Sequence, residues 1–325
     1  MGKKLLLLLL FFVCVLVGME KGYGYFLRRN VNLKSSYVAT HRIDADVLFL
    51  GPCEPLWMMD PKVFQNATGL KGYNLATVHA NFAENEAMLH LYLSHNKAPA
   101  FIFLYVTTES MDGAFNLFNS YSVVQFLDDE EIRAKIAEQD TGFSRWCRAP
   151  FMRYAYYSDF VNFNCLQGVR HALTNRQVPY FPDGFVRPHG IVWDGRFERF
   201  VNEFPKGRMF HWNAGEENHL HSLIGLAKSI GSRLVMYESP MLNDIKPFII
   251  NRQEIKEKIA KLAAGNEVPY WVFDTMKISN SRSNFFSILN TNDRGSAVFN
   301  EVFARYFLDW NKKKDTGREE KQLNE

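Results

Sequence analysis

Four short apolar runs, each bounded by turn signals and separated by helical stretches, constrain this chain more than any other feature. Asp46-Val47-Leu48-Phe49-Leu50 ends at Gly51-Pro52, and Phe101 to Val106 follows Pro99. Ser232 to Tyr237 stops before Ser239-Pro240, and Val268 to Phe273 stops before Asp274. Runs this short, without polar alternation, read as buried strands. Between and after them, Glu84–His95, Val123–Ile136, Glu216–Ser229 and Arg252–Ala264 carry apolar residues at helical spacing, and Gly265 supplies a helix stop. Val298, Phe299, Val302, Phe303, Tyr306 and Phe307 predict a last amphipathic helix. Strands alternating with helices argue for an α/β fold, a doubly wound parallel sheet covered on both faces. In such sheets ligands bind outside the carboxyl ends of the strands. The turns that start at Gly51, Thr107, Ser239 and Asp274 are therefore where a site is expected. The weakly periodic, aromatic-rich interval 112–215 is expected to be an inserted cap.

Composition supports a folded, core-forming chain. Apolar residues are 47% of the 325, with 28 Phe, enough to build a thick core. A balance of 38 Lys+Arg against 35 Asp+Glu leaves a formal charge of +3, which provides no basic field for nucleic acid. No His-Glu-x-x-His, paired Cys-x-x-Cys, phosphate loop or dinucleotide glycine fingerprint occurs, so the motifs imply neither metal nor cofactor.

The N-terminus sets the expected compartment. Lys3-Lys4 precede an unbroken apolar run from Leu5 to Met19, then Glu20-Lys21. Fifteen helical residues rise about 22 Å, short of a ~30 Å hydrocarbon core, which suits a signal peptide. The flanks suit an anchor instead: no Ala-x-Ala site follows, while Tyr23, Tyr25 and Phe26 and then Arg28-Arg29 are interfacial residue types. Residues 1–29 are read as a signal-anchor, with a secreted chain after signal cleavage as the alternative. Both place the remainder outside the cytoplasm, at a periplasmic or cell-surface location. In an oxidising compartment Cys147 and Cys165, eighteen apart, are expected to form a disulfide, leaving Cys53 as a free thiol.

Several blocks, taken in order, resemble one family. Asp46 to Glu54 followed by Asp60-Pro61-Lys62-Val63-Phe64, then Gly72-Tyr73-Asn74-Leu75-Ala76, then the strand after Pro99, then the helix and strand from Leu226 to Pro240, and last Asn290-x-Asn292-x-x-Gly295-Ser296-Ala297 are similar to the blocks of a membrane-anchored bacterial branch of the SGNH/GDSL hydrolases. That branch is related to accessory proteins of envelope polysaccharide O-acetylation. The resemblance covers 46–110 and 220–310. It implies a flavodoxin-like sheet of SGNH type over 42–310, with the cap inserted near 112–215, before a charged tail at 311–325.

The family's chemistry is ester hydrolysis or acyl transfer by a serine nucleophile, a histidine base and its aspartate, with an oxyanion hole. Here the nucleophile position matches Cys53, the histidine matches Asn290 and the aspartate matches Ser287. Gly51, Ala76 and Thr107 fall at cleft and oxyanion positions. Cysteine is a competent nucleophile, but asparagine has no titration near neutrality and cannot act as the base. The resemblance therefore implies a degenerate site that is expected to bind an envelope glycan or a membrane O-acyltransferase partner. A thiol esterase or acyltransferase is the alternative, with Cys53 as nucleophile and His79 as a substitute base.

Overall fold

A computed structural model of the chain describes residues 2–315, apart from 115, 116, 146, 148, 150 and 192. The helices are α1 (Gly2–Arg29), α2 (Lys34–Thr40), α3 (Cys53–Met58), α4 (Pro61–Thr68), α5 (Phe82–Leu93), α6 (Glu130–Gln139), α7 (Thr141–Ser144), α8 (Met152–Tyr156), α9 (Ser158–Leu173), α10 (Arg196–Glu203), α11 (Ala214–Ser229), α12 (Arg252–Gly265) and α13 (Asp293–Asp315). The strands are β1 (Val47–Leu50), β2 (Gly72–Asn74), β3 (Phe101–Tyr105), β4 (Arg233–Glu238) and β5 (Tyr270–Val272). The chain divides into two compact units. One comprises 1–43, 79–97 and 117–182, and the other 44–78, 98–116 and 183–325.

The second unit carries the sheet. Its five strands lie in the order β2-β1-β3-β4-β5, and every pairing is parallel. This is the 2-1-3-4-5 order of doubly wound sheets, whose direction of winding reverses between β1 and β3. The period of two along each strand sorts the apolar residues. Phe49, Phe103, Tyr237 and Trp271 join Phe64 of α4 and Phe299, Phe303 and Phe307 of α13 in one aromatic layer. Leu48, Leu50, Ile102, Leu104 and Met236 alternate with them and are also fully buried. Burial on both faces is why these strands read as continuous apolar runs.

Besides the helices α7 to α10 within the weakly periodic interval, the elements differ from the sequence reading as follows. The three-residue β2 lies within the Gly72-Tyr73-Asn74 block, too short to show a strand period. The expected helix 123–136 is one 3₁₀ turn, Val124–Phe126, and then α6, which starts where the Asp129 side chain caps the Glu131 and Ile132 amides. The last helix begins at Asp293 and runs to Asp315, so the expected tail is helical at its start, and 316–325 lie outside the described residues. The partition also differs from a single domain with a 112–215 cap. The first unit takes 117–182 together with the N-terminus and 79–97, whereas 183–215 belong with the sheet.

In the first unit, α1 packs along α9. Residues 5 to 12 of α1 are more than half exposed, while Leu27 is buried. The crossing needs small residues: a Cβ on Gly168 would sit 1.8 Å from the Phe26 carbonyl oxygen, and one on Gly24 would sit 2.9 Å from the Tyr154 hydroxyl. Glu20 pairs with Arg153 and accepts the Phe151 amide at 2.7 Å, while Tyr23 stacks on Tyr154 and donates to Asn162 at 2.9 Å. The last third of α1 is thus part of the fold.

Two stability outcomes follow. Phe303→Ala should cost about 3–5 kcal/mol, against under ~1 kcal/mol for the half-exposed Val298→Ala, as read by denaturant titration in detergent. Gly168→Ala, at a position with no room for a methyl, should cost about 1–3 kcal/mol. An unchanged midpoint for Gly168→Ala would mean that α1 does not seat on α9.

Candidate functional site at the carboxyl edge of the sheet

Buried side chains hold the turn after β1 in place. Gly51 has φ +144, and a Cβ there would meet Pro55 Cγ at 2.7 Å and Tyr105 Cβ at 2.8 Å, so only glycine fits. Its carbonyl accepts the Thr77 amide at 3.2 Å. Cys53 then opens the short helix α3 and is half-buried. The far end of that helix is clamped from two sides. Asn74, fully buried at the end of β2, donates to the carbonyls of Pro55 (2.7 Å) and Met59 (2.9 Å). From α13, Ser296 Oγ and Asn300 Nδ2 both donate to the Met58 carbonyl, at 2.7 and 2.6 Å. Gly295 permits the approach, because a Cβ there would lie 2.2 Å from the Asn284 carbonyl oxygen.

The positions matched to family residues are placed as follows. Ser287 and Asn290 are buried and bonded to each other: Asn290 donates to Ser287 Oγ from its amide nitrogen (3.2 Å) and its Nδ2 (3.0 Å), and its Oδ1 has no partner. Neither group exchanges a proton near neutrality. The Ala76 amide points to Asn74 Oδ1 at 3.1 Å, so an oxyanion donor role would compete with that bond. Thr107 is buried and closes a tight turn with Ser110, their hydroxyls 3.2 Å apart. His79 is exposed, has φ 58 and belongs to the first unit, whereas Cys53 belongs to the second. All four cysteines are free thiols, so the expected Cys147–Cys165 bridge is not formed. Cys147 instead donates its thiol to the Ser144 carbonyl at 3.2 Å, in the turn after α7, while Cys165 is buried on α9.

The carboxyl edge also holds four acids, which segregate into two pairs. Glu238, ending β4, and Asp274, just after β5, are met by cations. Arg252 bonds to both, Lys256 donates to Asp274 at 2.7 Å, and Tyr270 donates to Glu238 at 3.1 Å. Burial alone would raise Asp274, but the hydrogen bonds and charges of Lys256 and Arg252 hold it below the ordinary carboxylate range. Glu54 and Glu109, after β1 and β3, have no such pairing. Burial, reinforced by the charge of Glu109, pushes Glu54 from 4.5 up to about 7, against the opposing pull of its own amide and of Arg196. Burial likewise raises Glu109, with the Glu238 charge adding to it. Glu109 Oε2, Thr108 Oγ1 and the Tyr237 hydroxyl are buried without a hydrogen-bond partner. This pair flanks the β1/β3 reversal, where doubly wound sheets bind ligands.

A carboxyl half-ionised near neutrality can take or give a proton, which neither Ser287 nor Asn290 can do there. The sequence reading selected these turns but did not single out Glu54 and Glu109 within them. The available signal was an acid placed directly after a buried apolar run, where desolvation acts on its charge.

This placement has a measurable pH signature. Glu54 is raised in the folded chain, so folded protein keeps a proton that unfolded protein has released. Its stability contribution is full below pH 4.5, falls as pH rises from 4.5 to about 7, and is level above. Glu54→Gln should therefore match the parent at pH 4 and exceed it by on the order of 3 kcal/mol at pH 8. A difference independent of pH would show that Glu54 is not desolvated. No family model matches the chain, and no curated protein is similar to it.

Proposed function

We propose that this is a membrane-anchored, extracytoplasmic SGNH-hydrolase-like protein of a bacterial envelope, in which the family's triad is dismantled and the carboxyl edge of the sheet serves binding. The observation that carries this reading is the buried Ser287–Asn290 pair, a hydrogen bond without a titratable base where the family needs aspartate and histidine. The strand order, the turn at Gly51 and the pinned helix α3 agree with that scaffold. The ligand is a hydroxyl-rich glycan of the envelope: buried Thr108, Tyr237 and Glu109 present unpaired oxygen atoms that sugar hydroxyls satisfy. A membrane O-acyltransferase is the partner that the resemblance suggests. Anchoring is supported by α1, a helix of 28 residues that is long and apolar enough by length and composition to cross a membrane, and whose last turns are packed into the fold. Cleavage near Gly22 or Gly24 would cut within that packed segment.

One observation favours a second reading. Glu54 adjoins Cys53 in sequence and titrates near neutrality. A carboxylate there accepts the thiol proton as the sulfur attacks an ester carbonyl; the ester C–O bond breaks, the alcohol leaves with that proton, and water then cleaves the thioester to the carboxylic acid and the free thiol. Turnover separates the readings. Full-length protein in detergent, given p-nitrophenyl acetate, should hydrolyse it at the rate of its Cys53→Ala variant. It should also bind envelope polysaccharide, with Glu109→Leu weakening that binding about tenfold. Hydrolysis well above background that disappears in Cys53→Ala would overturn the binding reading in favour of the thiol enzyme.

A further inference from the structure

The first unit encloses a cavity of about 520 Å³ at the point where α1 leaves its apolar stretch. That volume falls in the range of small-ligand sites. Five cations line it: Lys21, Arg28 and Arg29 from α1, Arg153 from α8, and Arg176 just beyond α9. The acids Glu20 and Asp128 also line it, and both are engaged. Glu20 is spent on Arg153 and the Phe151 amide, and Asp128 lies 3.4 Å from Arg28 and 3.5 Å from Arg153. Lys21, Arg29 and Arg176 have no carboxylate partner among the described residues. Arg29 and Arg176 rest on the rings of Tyr25 and Tyr180, which keep the guanidinium planes in place without neutralising them. The cavity is a net cationic recess built on a helix.

Its height relative to a bilayer selects the occupant. The exposed apolar run ends at Met19, and Lys21 follows two residues on. At 1.5 Å per residue, Lys21 to Arg29 lie about 3 to 15 Å beyond the hydrocarbon edge, starting within a headgroup layer about 5–8 Å deep. A free anion could use the cations alone. An anionic phospholipid could use them and also lay its acyl chains along the exposed face of residues 5–19.

We propose that this recess binds the phosphate of an anionic phospholipid headgroup, with the acyl chains lying against α1. The inference rests on the anchored reading above and is independent of which side of the membrane the domain occupies. Each cation near an anionic lipid surface contributes enough that removing two should weaken retention about 30-fold. The test uses the full chain in nanodiscs of phosphatidylcholine alone or with phosphatidylglycerol, read by native mass spectrometry for retained lipid and by thermal midpoint. Phosphatidylglycerol should be retained and should raise the midpoint, whereas glycerol phosphate and inorganic phosphate at millimolar concentration should not. Lys21→Gln with Arg29→Gln should abolish that preference while leaving the midpoint in phosphatidylcholine near the parent's. A charge-matched control, Lys97→Gln with Arg133→Gln, removes cations that do not line the cavity and should change retention less than about threefold. Equal retention of the two lipids, an effect matched by the control pair, or stabilisation by free phosphate equal to that by lipid would each overturn the proposal. A chain that fails to enter nanodiscs of any composition would overturn the anchored reading instead, and the proposal with it.

Discussion

A parallel sheet buried on both faces leaves its backbone satisfied by neighbouring strands and its side chains in apolar layers, so polar chemistry is driven to the strand ends. Here the consequence is sharp because the strands are short. Three residues of β2 and four of β1 separate the aromatic layer from the carboxyl edge. Tyr105 and Tyr237 belong to both: their rings pack edge to face at 5.6 Å, and burial raises both hydroxyls well above the ordinary tyrosine range. The same desolvation that stabilises the sheet acts on each acid in the adjoining turns.

What happens to those acids then depends on who meets them. Glu238 and Asp274 face Arg252 and Lys256, and a buried charge with two hydrogen-bonded counter-charges is stable where it sits. Glu54 and Glu109 have no salt-bridge partner among the described residues, and the neighbouring charges of Glu109 on Glu54 and of Glu238 on Glu109 add to burial in favouring the protonated form. Four acids at one sheet edge thus differ in state: one pair ties α12 to β4 and to the loop after β5, and in the other burial favours the protonated carboxyl. That contrast sets the β1/β3 end apart from the β4/β5 end chemically. Among the family-matched positions, Asn290 donates to Ser287, and Ala76 bonds within its own loop.

Much of the sheet was legible because strands buried on both faces write themselves as apolar runs, and β1, β3 and β4 are near their expected bounds. β2 was not, since Gly72-Tyr73-Asn74 owes its place to Asn74 clamping α3 and not to any period. α9 was hidden for a related reason: its buried face is Val161, Asn164, Cys165, Gly168 and His171, selected for close approach to α1 and for hydrogen bonding as much as for apolarity. Asn164 receives two bonds from the Asn30 side chain, and Gly168 admits the Phe26 carbonyl. A hydrophobic pattern does not register such a helix. The division into two units was illegible for a simpler reason: 79–97 reads as an ordinary crossover helix, and nothing in its own sequence states that it packs with α2 and α6.

The cations at the base of α1 bring two physical rules into opposition. Lysine and arginine flanking a membrane helix favour the cytoplasmic side, and here Lys21, Arg28 and Arg29 follow the apolar run while only Lys3 and Lys4 precede it. As orientation signals they argue against an extracytoplasmic domain. As side chains they have other work: Arg28 donates to the Gln125 carbonyl at 2.7 Å, and all three line one cavity. The two roles act at different times, because insertion reads the flanks before the domain exists and the cavity forms only once α9 has packed on α1. Cations kept for a lipid phosphate would persist on either side of the membrane, whereas cations kept only for orientation would need no cavity. The recess therefore bears on why the charges are there, and the direction of insertion is a separate question about the same residues.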